Sequence, residues 1–474
     1  MKLLLINPPE TKMIRADNPE FIDEERGANP NLGILYIAAV ARQQKGWEVE
    51  VIDGVGEGLS YEALRPRIRS AEADLIGITV LTFTVFDVIE TLKICYEESP
   101  DSQIIMGGPH AHIYPEETLG WKGVDIVATG EGEAIIPNLL AVFPDRKALK
   151  SIRGLAFRDR NGNVINTGIP DLITDLEKLP FPARDLTDIK LYSSVVSRHN
   201  PISTMITSRG CPFKCRYCDR PHLGKRFRAH SAEYVVREMQ ECTALGIGEV
   251  FIYDDTFTVN RKRILDICNR KIEKGIKLAF DIRARVDQID LEMLEALKAA
   301  GCERIHYGVE AGTDKIQKIL GKGITLAQAK NAVKMTKKVG IKCLAYFMIG
   351  SPTETREDIR ESIRFASELD PDFVSITILT PFPETDFYFK ALEEGVIDHD
   401  YFKAFAKNPK EDFKVKYWEK DLSRDVLFEE LERAYRKFYG RPRYILRELF
   451  AVRSINELKK KVKMGLKVLG IKRR

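Results

Sequence analysis

Cys211, Cys215 and Cys218 lie within the stretch Ser208-Arg209-Gly210-Cys211-Pro212-Phe213-Lys214-Cys215-Arg216-Tyr217-Cys218, at spacing C-x3-C-x2-C. An apolar run from Ile202 to Ile206 precedes them and reads as a strand, so the thiols fall on a strand-to-helix loop. Three neighbouring thiolates make a soft, sulfur-only ligand set that suits iron–sulfur chemistry better than catalytic zinc. Three protein ligands on a four-iron cluster leave one iron open to a substrate or cofactor. Cys95, Cys242, Cys268, Cys302 and Cys343 are scattered without ligand spacing and read as small buried apolar residues. Eight cysteines among 474 residues, with no signal-peptide pattern, predict a reducing cytoplasm rather than a disulfide scaffold. No run of about 18 apolar residues reads as a membrane span.

The elements that must position those cysteines follow from periodicity. Over residues 1–145, short β-branched or apolar runs at Lys2–Asn7, Glu48–Asp53, Asp74–Thr79, Gln103–Gly107 and Val124–Ala128 alternate with helical patterns. This alternation predicts an α/β, doubly wound, Rossmann-like parallel sheet. Ligands of such sheets bind beyond the carboxyl ends of the strands, here Asn7-Pro8-Pro9, Thr79-Val80-Leu81-Thr82, Gly107-Gly108-Pro109-His110 and Thr129-Gly130-Glu131-Gly132-Glu133. Residues 146–198 read as a hairpin turning at Asn161-Gly162, followed by a proline-rich linker. Residues 199–385 resume the alternation with six strands and predict a partial, six-unit TIM-like barrel, whose functional groups project from strand carboxyl ends. Residues 386–474 read as a helical, aromatic-rich C-terminal region, expected to pack rather than to shape a pocket. The net charge is +4, but residues 441–474 alone carry 12 Lys or Arg against Glu448 and Glu457. With Ile445, Leu449, Val452, Ile455, Leu458, Val462, Leu466 and Leu469 on one helical face, that tail suggests peripheral contact with an anionic membrane, weighed against simple packing on the barrel.

The cysteine spacing, with Tyr217 just before Cys218, resembles the signature of the radical S-adenosylmethionine (SAM) enzymes. The resemblance implies a [4Fe-4S] cluster on Cys211, Cys215 and Cys218 whose open iron binds the amino and carboxylate groups of SAM. Reductive cleavage would then give a 5′-deoxyadenosyl radical that takes hydrogen from substrate. It also implies roles for the later strand ends. Asp254, Asp255 and Thr256 would face the SAM amino group, and Arg283 or Arg285 the carboxylate. Glu310 would bind the ribose, and Gly350 with Ser351 would approach the adenine.

Residues 1–145 resemble the cobalamin-binding domain of the cobalamin-dependent radical SAM enzymes, through Ile6-Asn7-Pro8-Pro9, Leu32-Gly33-Ile34-Leu35-Tyr36 and the two glycine turns. The implied cobalamin contacts are Asn7, Pro8, Gly33, Thr79, Leu81, Thr82, Gly107, Gly108, His110, Gly130, Glu131 and Gly132. Many cobalamin modules carry D-x-H-x-x-G, whose histidine ligates cobalt; here Asp53-Gly54-Val55-Gly56-Glu57-Gly58 has Val55 at that position. The expected activity is cobalamin-dependent radical methylation of an unactivated carbon in a small molecule or lipid. The alternative is cyclisation, rearrangement or lipid carbon-bond formation on the same cofactors. A tRNA methylthiotransferase would need three more upstream cysteines, and only Cys95 is present. An external reductant such as flavodoxin or ferredoxin is expected, and no nucleic acid.

Overall fold

Runs of buried Leu, Ile and Val build two separate parallel sheets, each strand followed by a helix that covers it. The computed structural model describes residues 1–14, 27–194, 197–218 and 224–450, with positions 462, 465 and 470. The first layer system contains β1 (Lys2–Asn7), α1 (Leu32–Ala41), β2 (Glu48–Asp53), α2 (Tyr61–Ala71), β3 (Leu75–Thr79), α3 (Val85–Glu98), β4 (Gln103–Gly107), α4 (Pro109–Ile113), α5 (Pro115–Leu119), β5 (Ile126–Ala128), α6 (Gly132–Val142), β6 (Leu155–Arg158) and β7 (Val164–Asn166). Strand order is β2-β1-β3-β4-β5-β6-β7, parallel as far as β5 and antiparallel beyond it. Strand addition reverses direction between β1 and β3, which opens a crevice at their carboxyl ends. The hairpin expected in a linker is part of this sheet. Leu155, Ala156 and Phe157 are buried and pair with Ala128, Val127 and Ile126, so β6 continues the core past the parallel strands.

The second sheet is built from β8 (Ile202–Met205), β11 (Glu249–Ile252), β12 (Ala279–Ala284), β13 (Cys302–Glu310), β14 (Lys342–Ile349) and β15 (Phe373–Ile378), all parallel and in sequence order. Between the first two lies a two-residue ribbon of β9 (Ser208–Arg209) and β10 (Arg228–Ala229). Helices α7 (Ala232–Ala244), α8 (Arg261–Glu273), α9 (Leu291–Ala299), α10 (Asp314–Leu320), α11 (Leu326–Lys338) and α12 (Arg356–Leu369) separate the strands. Phe280, Ile282, Ile305, Tyr307 and Phe347 share the core with residues of these helices. The alternate residues, among them Glu249, Asp281, Arg304, His306 and Tyr346, therefore face the concave side. This is the half-barrel the sequence predicts.

Its last strand is covered rather than left as an open edge. The chain continues through α13 (Asp386–Glu393), α14 (Tyr401–Lys407), α15 (Arg424–Tyr439) and α16 (Pro442–Phe450). The Tyr435 hydroxyl bonds both the N–H and the C=O of Ile376, at 2.9 Å each, and the Tyr439 hydroxyl does the same for Val374. Phe387, Tyr388, Tyr401, Phe402 and Trp418 form a buried cluster with Tyr114 of the first sheet's loops, and the Trp121 indole donates to the Ala406 carbonyl at 2.8 Å. The aromatic segment thus packs against both sheets. Of the predicted amphipathic tail, α16 carries Ile445 and Leu449, both exposed; Val452, Ile455, Leu458, Leu466 and Leu469 lie outside the described residues. Among the described residues no helix is long and apolar enough to cross a membrane.

Candidate active site

The three cysteines occupy the loop that leaves β9 at the mouth of the half-barrel. All three are half-buried and none is in a disulfide. Among the described residues no three His, Cys, Asp or Glu side chains are gathered around one ion position. A sulfur-only triad that is open and yet not gathered on one ion fits a multi-iron cluster. The other five cysteines are buried, and desolvation pushes the thiols of Cys95, Cys242 and Cys268 up to about 12, where thiolate chemistry is suppressed.

Neighbouring strand ends hold this loop in place. Asp254, fully buried after β11, accepts from the Thr207 N–H, the Thr207 hydroxyl and the Ser208 hydroxyl, each at 2.6 Å. Its carboxylate thus fixes the approach to the cysteines. Thr256 does lie at the cluster site, with its oxygen 3.7 Å from the Cys211 sulfur and its hydroxyl donating to the Asp255 carbonyl. Arg285 is likewise committed. Its guanidinium is forked on Asp287 at 2.9 and 3.0 Å, donates to the Lys322 carbonyl, and stacks 3.8 Å from the ring centre of Phe213, inside the cysteine loop. Through Phe213 it braces the loop.

Glu310 ends β13 with φ of 71°, in the left-handed region that non-glycine residues rarely adopt. Lys322 donates to it at 2.6 Å. A Cβ at Gly308 would meet the tips of both members of the Lys322–Glu310 pair, so a side chain there would displace that pair. Gly350 follows β14 with φ of 83°, and the Ser351 N–H donates to Glu354 at 2.8 Å. The Ser351 hydroxyl is buried without a partner among the described residues, a polar group left for a ligand.

At the first sheet, the residues expected to contact cobalamin divide in two. Gly33, Thr79, Leu81, Thr82, Gly107 and Gly108 retain exposure. Leu81 is a large apolar side chain in the open, and nothing lies within 4 Å of where a Gly107 Cβ would stand. Gly108, with φ of 106°, sits so close to the Val80 carbonyl (2.8 Å from a notional Cβ) that a side chain is excluded. This open, side-chain-free floor fits a large flat ligand. The others are engaged elsewhere. His110 is fully buried under Thr82, with Nδ1 at 3.0 Å from its hydroxyl, and desolvation lowers its pKa to about 4. In this position it supports Thr82. Pro8 is buried, and Asn7 is knotted between Asp53 (2.7 Å) and Asn31 (3.0 Å). Notional side chains at Gly130 and Gly132 would strike Pro170 and Ile37. The Asp53–Gly58 turn closes on Asp53, which accepts from the Gly56 N–H and, at 2.7 Å, from the Tyr192 hydroxyl.

Glu131 has another task. It accepts from Arg209 and Arg228, both at 2.7 Å, while Glu133 accepts from Arg209 at 2.5 Å. Arg209 and Arg228 face each other across the β9–β10 ribbon, from which the cysteine loop emerges. Buried acids of the first sheet thereby grip the base of the loop in the second. Sequence reasoning missed Arg209, Arg228, Glu133, Lys322, Phe213 and Glu354. Apart from the Gly-rich turn around Glu133, nothing local marks them, since their partners come from other elements.

Two cofactor-scale modules, joined at their strand carboxyl ends, define a radical enzyme with a corrin domain. Residues 205–366 match the radical SAM superfamily and residues 23–140 the B12 binding domain. An uncharacterised methyltransferase of Pyrococcus horikoshii is 33% identical over 454 residues, 95% of each chain. The anaerobic magnesium-protoporphyrin IX monomethyl ester cyclase of Cereibacter sphaeroides is 26% identical, over 88% of this chain and 68% of that one. Among solved structures, OxsB with aqua-cobalamin and SAM bound superposes with TM-score 0.77 at 19% identity, covering 98% of this chain and 71% of that one. The chain belongs to the cobalamin-dependent radical SAM enzymes. Its cofactors are a [4Fe-4S] cluster, SAM and cobalamin.

Proposed function

We propose that this enzyme transfers a methyl group from SAM to carbon in a small molecule. When bound, the cluster with SAM supplies hydrogen abstraction and the cobalamin supplies the methyl carrier. Cys211, Cys215 and Cys218 would hold the cluster. Glu310, oriented by Lys322, and the Ser351 hydroxyl would take SAM. Gly107, Gly108, Leu81 and Thr82 would form the corrin floor. The protein's own work is placement: Arg285 stacks the loop through Phe213, and Asp254 fixes its base.

The observation that carries this reading is the buried clamp of Glu131 and Glu133 on Arg209 and Arg228, which holds the cluster loop against the cobalamin sheet. The similarity to an uncharacterised methyltransferase over nearly the whole chain supports methyl transfer over the cyclisation named for the more distant relative. The test is anaerobic reconstitution with iron, sulfide and hydroxocobalamin, followed by reaction with SAM carrying a deuterated methyl group. About four irons per chain and labelled methyl in the product are expected. An unlabelled product with a changed skeleton would replace methylation by cyclisation.

A further inference from the structure

The concave face of the half-barrel, one layer below Arg285 and Glu310, carries a polar set that includes Glu249, Asp281, Arg283, Arg304 and His306. Arg304 donates to Asp281 at 2.9 Å and lies 3.4 Å from Glu249, so its charge is balanced. Arg283 differs. Among the described residues it has no ion-pair partner, it is half-buried, and its guanidinium rests 4.3 Å from the centre of the Tyr253 ring. It stands on the same face of β12 as Asp281 and retains exposure.

The residue beside it in the sheet register, His306, is already engaged. Its Nε2 lies 3.1 Å from both the Arg304 Nε and the Asp281 carboxylate, and its Nδ1 lies 2.9 Å from the Tyr346 oxygen. Asp281 is thereby shared between Arg304 and His306. The Arg283 charge acts on both Tyr253 and Tyr346, opposing the upward push of burial on their hydroxyls.

We infer that Arg283 binds an anionic group of the substrate, a carboxylate or a phosphate, inside the half-barrel below the cofactors, rather than the SAM carboxylate expected from the sequence. This rests on the methyltransferase reading and names its substrate class. An unpaired guanidinium in a partly desolvated lumen favours a bidentate oxyanion. A wholly hydrocarbon substrate would leave Arg283 uncompensated.

The reconstituted holoenzyme tests this with inorganic phosphate and acetate as probes, each titrated at constant ionic strength while the melting midpoint and SAM binding are followed. In the unsubstituted enzyme at least one probe should raise the midpoint. In Arg283→Gln the apparent affinity for that probe should fall about 10-fold or more, with SAM binding and abortive 5′-deoxyadenosine formation retained. Arg283→Lys, which keeps the charge, should respond to the probe more than the Gln variant does. Equal anion response in the unsubstituted enzyme and Arg283→Gln would overturn the assignment. Loss of SAM binding in Arg283→Gln would also overturn it, by moving Arg283 into the cofactor site. Failure of the unsubstituted enzyme to form 5′-deoxyadenosine would instead strike the parent reading, and the anion titrations would still be readable.

Discussion

A thiol serves as an iron ligand only where solvent and neighbours allow its thiolate, and the eight cysteines divide on that ground. Cys211→Ala, Cys215→Ala or Cys218→Ala should each lower 5′-deoxyadenosine formation by at least ~100-fold and reduce bound iron. Cys268→Ala should leave iron content unchanged and cost about 1–2 kcal/mol of stability, measured by urea unfolding, because only a buried sulfur is lost. Glu354 offers a test through pH. Burial pushes its carboxyl up to about 7 from an ordinary 4.5, against the pull of the Ser351 and Gly350 N–H groups. The folded state therefore holds the proton more tightly than the unfolded chain. Its contribution to stability is fully present below about pH 4.5, falls as pH rises through 7, and is flat above that, a span of about 3 kcal/mol at most. Glu354→Gln should flatten the stability difference between about pH 5 and about pH 8; an unchanged slope would place the titration elsewhere.

At the scale of elements, period decides what can be read in advance. The strands Lys2–Asn7, Glu48–Asp53 and Gln103–Gly107 have the limits that the sequence predicts, because short β-branched and apolar runs are local signals. The cysteine triad was legible for the same reason. What each strand-end side chain does was not. Asp254, Arg285 and Glu131 occupy the expected loops, but their partners Thr207, Phe213 and Arg209 are 47 to 78 residues away, and no local pattern announces such pairings. His110 reads as a ligand from its place beside a Gly-Gly turn, and only packing under Thr82 reveals it as a support. The edge of β15 is another such case. Tyr435 and Tyr439 replace a seventh strand by offering hydroxyls to its backbone. Tyr435→Phe should cost about 1–3 kcal/mol by leaving the Ile376 N–H and C=O unpaired in a buried place, with little effect on cofactor content. Amide exchange at Ile376 would report the loss directly.

For the whole molecule, the governing contact is the grip of the first sheet on the cysteine loop. Glu131 and Arg209 are both nearly inaccessible, so the pair is shielded from salt, and removal of one partner strands the other. Arg209→Ala should destabilise the protein by about 3–5 kcal/mol and leave cluster assembly detectable. Product formation should fall more than 5′-deoxyadenosine formation, because the loop is no longer held against the cobalamin sheet. A proportional fall of both would mean that the clamp serves folding alone.

The hairpin β6–β7 also bears on where the protein can be divided. A first module ended at residue 145 would leave β5 without its antiparallel neighbour, exposing the pairing groups of Ile126–Ala128 and the buried Leu155 contacts of α6's layer to solvent. A fragment carried past Asn166 keeps the sheet whole, yet it still lacks Tyr192, whose hydroxyl closes the Asp53 turn and whose carbonyl accepts from Ile202 at the start of β8. The boundary that folding respects therefore lies inside the first barrel strand's neighbourhood, and the two halves of this enzyme are tailored to one another rather than interchangeable.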